Sequence, residues 1–133
     1  MLFGNRFYRR IKYEGCISEA TRHLLLNASK NIAKIIGTGN NVIFTGAITP
    51  ARYQQILLES RAYVQHSITA DDGDMEGTPV SVMEASAAGI PVISTFHAGI
   101  PDVIVDGKTG LLCKELDVES MAVNMLRLAS DKE

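Results

Sequence analysis

The sequence predicts an α/β fold, a parallel sheet with helices on both faces, in one domain over residues 1–133. Three observations carry this. Short apolar runs at 1–4, 42–44, 62–64 and 92–94 alternate with segments of helical period. The runs are continuous and do not alternate with polar residues, as strands buried on both faces read. At 133 residues, 46% hydrophobic and 21% charged, the chain is long enough to bury one core and ordinary in composition.

Taken in order, Met1 to Gly4 reads as a short buried strand, and residues 5 to about 18 are basic and aromatic without a clean period. From Glu19 to Ile36, Leu24, Leu25, Ala28, Ile32, Ile35 and Ile36 recur at helical spacing, and Gly37 closes the run. Val42-Ile43-Phe44 predicts a strand ending at the Gly46 turn. Thr49-Pro50 is a cap-then-proline start for a helix through about Ser60, followed by a strand at Ala62-Tyr63-Val64. A polar loop from His66 to Gly77 precedes a helix predicted over Thr78 to Ala88, then a strand at Val92-Ile93-Ser94. Residues 99–101 and 106–110 read as punctuated loops around Val103 to Val105, and Asp117 caps a last helix to about Ser130.

The stretch Glu76-Gly77-Thr78-Pro79-Val80-Ser81-Val82-Met83-Glu84 sets two carboxylates eight positions apart across a helix start. Thr78 is a good N-cap, and Pro79 suits the first helical position, where its missing N–H is no loss. The amides of Val80 and Ser81 then point out of a positive helix end, a ready place for phosphate. Gly77 lets a ligand come close to the backbone, and Glu84 lies one turn below Val80. Carboxylates do not hold phosphate, but they accept hydrogen bonds from sugar and ribose hydroxyls. The combination reads as a nucleotide-sugar site. Because the loop joins a strand to a helix, it belongs on the carboxyl edge of the sheet, where ligands of such sheets bind.

Other classes of function find less support. A net charge of −2 gives no global argument for nucleic acid or an anionic membrane, and no apolar run is long enough to span a bilayer. Cys16 and Cys113 make neither a metal-ligand spacing nor a disulfide framework, and residues 1–6 lack the apolar stretch of a signal peptide. The expected setting is reduced and cytoplasmic. Asp72-Gly73-Asp74 could start a calcium loop, but the twelfth position would then be Met83 and Pro79 would fall inside it. A solvated acidic loop is the better account. His23, His66 and His97 have no triad or ligand spacing, although His66 and His97 each follow a predicted strand and so could face a cleft. Met75, Met83, Met121 and Met125 read as core filler, and Lys108 sits in a tight turn without the first glycine of a phosphate loop.

From about Asn41 onward, roughly two thirds of the chain, the sequence resembles the donor-binding domain of glycosyltransferase family 4. The family's Glu-x7-Glu motif matches Glu76 and Glu84, followed in order by Ala85-Ser86-Ala87-Ala88-Gly89-Ile90-Pro91-Val92-Ile93. Asn41-Val42-Ile43-Phe44-Thr45-Gly46 and the stretch from Gly99 to Leu112 also fit, and the acidic approach from Ala70 to Pro79 looks most like members that build bacterial exopolysaccharide. The resemblance implies a Rossmann-like sheet, one incomplete half of a two-domain GT-B enzyme, and a retaining transferase of the hexosyl type. It implies that Glu76 contacts donor-sugar hydroxyls near the reacting carbon, that backbone around Gly77, Thr78, Pro79 and Val80 holds the pyrophosphate, that Glu84 takes the ribose hydroxyls, and that the Gly46 loop borders the base. No cofactor and no metal ion is expected; the nucleotide-sugar, a UDP- or GDP-sugar, is the substrate.

The family's domain opens with a β-α unit that supplies an Arg and a Lys for the departing diphosphate, and this chain starts at what matches the second strand. Arg6, Arg9, Arg10 and Lys12 match no motif position and take no role from the resemblance. The expectation is therefore part of a longer enzyme, without turnover by itself, whose other domain takes a glycan or lipid-linked acceptor at or near the inner face of the membrane. A strand left without its neighbour also predicts a homodimer through the sheet edge. Two alternatives stand beside this reading: a non-catalytic nucleotide-binding or assembly module, and a nucleotide-sugar epimerase of the same two-domain architecture.

Overall fold

The computed structural model describes the backbone of residues 19–130 and the side chains of residues 23–130. The expected strand at Met1 to Gly4, the basic segment with Arg6, Arg9, Arg10 and Lys12, and Cys16 lie outside the described residues. The chain forms two compact units, one ending at Thr45 and one beginning at Gly46.

In the first unit, helix α1 spans Glu19–Ile35, close to the predicted bounds. Gly37, at φ +75, turns it off: its N–H donates to the Lys34 carbonyl and the next N–H, of Thr38, to that of Ala33. The apolar face expected of this helix is not the face that is buried. Ala33 is buried, whereas Leu24, Ile32, Ile35 and Ile36 are exposed, because α1 packs on the short 3-10 turn Gly39–Asn41 through the side that carries Ala33. Residues 42–44 form no strand ladder among the described residues; Val42 makes a single bridge, and Phe44 lies under the Lys30 ammonium, 5.9 Å from the ring centre.

In the second unit, Thr49 caps α2 (Pro50–Leu58) as the sequence predicts, its hydroxyl accepting the Arg52 N–H at 3.3 Å. Ile56 and Leu57 are its buried side. Strand β1 (Tyr63–Val64) is followed by the long loop, α3 (Val80–Ala87), β2 (Val92–Thr95), a short helix α4 (Ile100–Val103), β3 (Gly110–Cys113) and α5 (Val118–Ser130). The three strands make one parallel sheet in the order β1-β2-β3, with Tyr63 opposite Val92 and Val92 opposite Gly110. All four residues of β2 are buried although they point alternately to the two faces, so both faces are covered. Val82 and Ala85 on α3 have no exposed surface and, with Ile93, Ile100 and Ile104, make the core. This is a Rossmann-like α/β arrangement, the predicted class.

Strand β3 and helix α4 were not expected from the sequence. Leu111-Leu112-Cys113 is too short an apolar run to stand out beside the glycine-rich turn before it. Its position is fixed by Gly110, where an added Cβ would stand 2.2 Å from the Val92 carbonyl oxygen. The strand thus pairs with β2 because residue 110 has no side chain. The turn before it is tight as expected, with the Lys108 and Thr109 N–H groups both donating to Val105 O. Helix α3 ends as the small residues suggest: Gly89 at φ +72 and Ile90 return their N–H groups to Ser86 O and Ala85 O. The α5 cap is also as predicted, Asp117 accepting the Ser120 N–H at 2.9 Å. Met75 and Met83, expected in the core, are exposed at 56% and 41%, since one sits in the loop and the other on the side of α3 opposite Val82 and Ala85.

Replacing Gly110 by Ala should lower stability by about 2 kcal/mol or more, the range for forcing extra volume into a packed site. Gly77→Ala, where a Cβ meets nothing within 4 Å, should change it by less than about 0.5 kcal/mol. Urea midpoints of the two variants check this; equal midpoints would contradict the β2–β3 register.

Candidate functional site

The loop from β1 and the start of α3 lie on the carboxyl edge of the sheet, as expected. At this start one detail departs from the sequence reading. Thr78 does not cap the helix. Pro79 holds the cap position with an extended ψ of 128°, and no side chain caps the first turn. The same Thr-Pro pair behaves differently here from Thr49-Pro50 because the Thr78 hydroxyl lies against the α-carbon of Gly99, where a Cβ would stand 2.1 Å from it. The helix therefore begins one residue later, at Val80. The Pro79 carbonyl takes the N–H groups of Val82 and Met83, at 3.0 and 3.3 Å. Those of Val80 and Ser81 remain as first-turn donors without an intrahelical partner. The later start leaves the same two amides at the positive end as the sequence reading did.

Around them the predicted residues fall as follows. Glu76 and Gly77 are exposed in the loop, Thr78 is half-buried, Pro79 buried and Val80 exposed. Glu84 is half-buried on α3, and its Oε2 is a buried oxygen with no hydrogen-bond partner. Gly46 opens the unit ahead of α2, at φ +62. An open pocket of about 220 Å³ beside Lys34, Gly37, Gly39 and Asn40 lies in the other unit, and none of the predicted site residues lines it.

Sequence reasoning missed the polar layer beneath this helix start. The Gln65 side-chain oxygen accepts from both the Tyr63 hydroxyl and the Ser81 hydroxyl, the latter at 2.7 Å. Burial pushes the Tyr63 phenol up, a hydrogen bond with Ser81 opposes this, and the negative charges of Glu84 and Glu76 add to the rise. Both carboxylates therefore act electrostatically on one buried hydroxyl. A strand-end Gln beside a first-turn Ser is too common a pair to have signalled this.

Of the two histidines that follow strands, His66 is exposed and His97 is buried. His97 Nδ1 pairs with Glu115 Oε1 at 2.7 Å, which makes Nδ1 the protonated nitrogen since a carboxylate only accepts; Nε2 is buried without a partner. Asp72, which the sequence places in a solvated acidic loop, accepts the Asp74 N–H at 3.1 Å in a local turn. Burial, and then Asp117, pushes the Cys113 thiol up, away from the thiolate form that a nucleophile needs.

The family profile described as "Glycosyl transferases group 1" matches residues 26–133, most of the chain. The chain belongs to this glycosyltransferase family. Over 70 residues it is 47% identical to a Salmonella typhimurium protein that carries the name of a colanic acid biosynthesis glycosyltransferase, covering 53% of this chain and 17% of that one. It is 45% identical over 76 residues to an amylovoran biosynthesis glycosyltransferase of Erwinia amylovora, covering 57% and 19%. A GDP-mannose-dependent alpha-(1-6)-phosphatidylinositol monomannoside mannosyltransferase of Mycolicibacterium smegmatis is 28% identical over 107 residues, covering 80% and 28%. Among solved structures, a sucrose-phosphate synthase from Thermosynechococcus elongatus has a similar fold, with a TM-score of 0.65 at 22% identity, covering 81% of this chain and 26% of that one. The chain thus spans less than a third of each of these relatives. The family resemblance read from the sequence, with its exopolysaccharide leaning, holds at this level.

The Glu115 carboxyl is held below the usual carboxylate range, first by the Thr69 N–H and then by the hydrogen bond with His97. A lowered folded value means that its contribution to stability is complete above the unfolded value of about 4.3 and is lost as pH falls through the folded one. Glu115→Gln should therefore flatten the acid side of a stability profile below about pH 4.3 and leave its shape unchanged near neutrality. Urea midpoints measured from pH 3 to 7 check this.

Proposed function

We propose that this chain is the donor-binding domain of a retaining glycosyltransferase that moves a sugar from a UDP- or GDP-sugar to a glycan or lipid-linked acceptor in polysaccharide biosynthesis. The observation that carries the reading is the start of α3. Two unpaired amides, of Val80 and Ser81, stand at its positive end, with Glu76 ahead of them and the unpartnered Glu84 Oε2 one turn on. A nucleoside diphosphate supplies what this arrangement lacks: phosphate oxygens for the amides and hydroxyl donors for the buried carboxylate. Charge supports the same division, since neither glutamate could face the diphosphate without repulsion.

Glu84 accepts the ribose hydroxyls, backbone at Gly77 to Val80 holds the pyrophosphate, Glu76 orients the sugar, and the Gly46 loop borders the base. Catalysis in the whole enzyme comes from positioning and from stabilising the departing diphosphate, with no strong base required. The exopolysaccharide names of two relatives and the GDP-mannose dependence of another support the substrate class. The acceptor binds through another domain, on the cytoplasmic side or inner face of the membrane.

Calorimetric titration with UDP, GDP and ADP tests the site. One of them should bind saturably, and Glu84→Gln should weaken it about tenfold or more, the loss expected for hydrogen bonds to a charged group. Equal binding by the variant would remove Glu84 from the site. In the intact enzyme, Glu76→Gln should abolish transfer with an unchanged far-UV spectrum; an unaffected rate would remove Glu76 from the mechanism.

A further inference from the structure

The loop that carries Glu76 is fastened at both ends and unsupported between them. Its near end is laced to β2: the Gln65 N–H donates to Ile93 O at 3.0 Å, the Ser67 N–H to Thr95 Oγ1 at 3.0 Å, and the Thr95 hydroxyl back to Ser67 O at 2.7 Å. Two residues on, the Thr69 N–H donates to Glu115 Oε2 at 2.9 Å and its hydroxyl to Oε1 at 3.3 Å. Glu115 is itself held by His97 at 2.7 Å, and the His97 side chain has no exposed surface. At the far end the Thr78 hydroxyl rests on the Gly99 α-carbon. Between these anchors residues 70–74 close their own turn, with Ala70 N–H to Asp74 O and Gly73 N–H to Ala70 O both at 2.9 Å.

Both anchors lead back to three consecutive residues, His97-Ala98-Gly99, just past the end of β2. Ala98 has φ +43, a left-handed conformation that a residue with a Cβ adopts only where its surroundings dictate it. Here His97 is held by Glu115, Gly99 lies close against the Thr78 side chain, and the Ile100 N–H closes the turn onto His97 O at 3.0 Å. Glu84 and the amides of Val80 and Ser81 ride on α3, whose seating through Val82 and Ala85 and whose tie from Ser81 to Gln65 do not involve His97.

We infer that the turn His97-Ala98-Gly99 is a two-point clamp that sets the loop over residues 69–78, and with it Glu76, and that its His97 point, acting through Glu115 and Thr69, is remote from the helix that carries Glu84. His97 is then a positioning residue acting through Glu115. The consequence for donor recognition rests on the function proposed above; the clamp itself does not. Losing the His97 contact should free the carboxylate that orients the sugar and leave the nucleotide contacts in place.

The test compares His97→Leu, which removes the donor to Glu115, with His97→Asn, which keeps an N–H near the Nδ1 position. Amide hydrogen exchange is read at Thr69, Ala70, Gly73 and Asp74 and at the strands 92–95 and 110–113. His97→Leu should speed the loop amides at least tenfold with the strand amides unchanged, and His97→Asn should stay near the parent. Titrations with GDP-mannose against GDP, and UDP-glucose against UDP, should show the sugar nucleotide weakened at least fivefold and the nucleotide by less than twofold. Unchanged loop exchange, an equal rise in loop and strands, or parallel loss of both ligands would overturn the clamp. Should the parent chain bind none of these ligands, the donor-site reading fails and the exchange data alone decide the clamp.

Discussion

The candidate site in this unit depends on β2 being paired in parallel on both sides. Its four residues are buried, and each makes a ladder partner with β3 while the first two also pair with β1. Parallel pairing forces each connection to cross back over the sheet, which brings the chain out of all three strands at one edge. The loop with Glu76, the turn at His97 to Gly99 and Glu115 all leave from that edge, after β1, β2 and β3. Residues nearly fifty positions apart, Thr69 and Glu115, meet there for no other reason. The register in turn rests on a missing side chain: with a Cβ at residue 110, β3 could not lie against the Val92 carbonyl.

On this frame the helix start contributes a positive end and the loop a negative approach. The two carboxylates do different electrostatic work. Glu76 is exposed, well solvated and free to meet a ligand, whereas Glu84 already has one oxygen removed from water without a donor to replace it. A buried acceptor left unpaired is costly, and such sites are where ligand hydroxyls gain most. The Gln65 amide beneath ties the first turn of α3 to the end of β1 through Ser81, so the helix end is held from below as well as by its core face.

Much of this was legible in the sequence, and the misses have identifiable causes. Local signals with a short-range mechanism were reliable: Thr49-Pro50 and Asp117 cap their helices, and Gly37 and Gly89 end theirs. The Glu-x7-Glu spacing placed both carboxylates around α3, since helix geometry alone relates Val80 to Glu84. Thr78 misled because its side chain packs against Gly99 and the cap falls on Pro79, a tertiary arrangement that no local rule contains. Strand β3 was hidden by its length and by a glycine whose purpose is close approach, and the buried side of α1 was not its most apolar one. The pair His97 and Glu115 could not be foreseen, because its meeting depends on strand register.

The central claim is that phosphate is held by the amides at the start of α3. Backbone amide chemical shifts recorded while a nucleoside diphosphate is added would test it most directly. The account predicts that the largest saturable shifts belong to Val80 and Ser81, with smaller ones at Gly77 and Glu84. Shifts that gather instead at Lys34, Gly37, Gly39 and Asn40, beside the pocket in the other unit, would contradict it, as would a titration that moves no amide of α3.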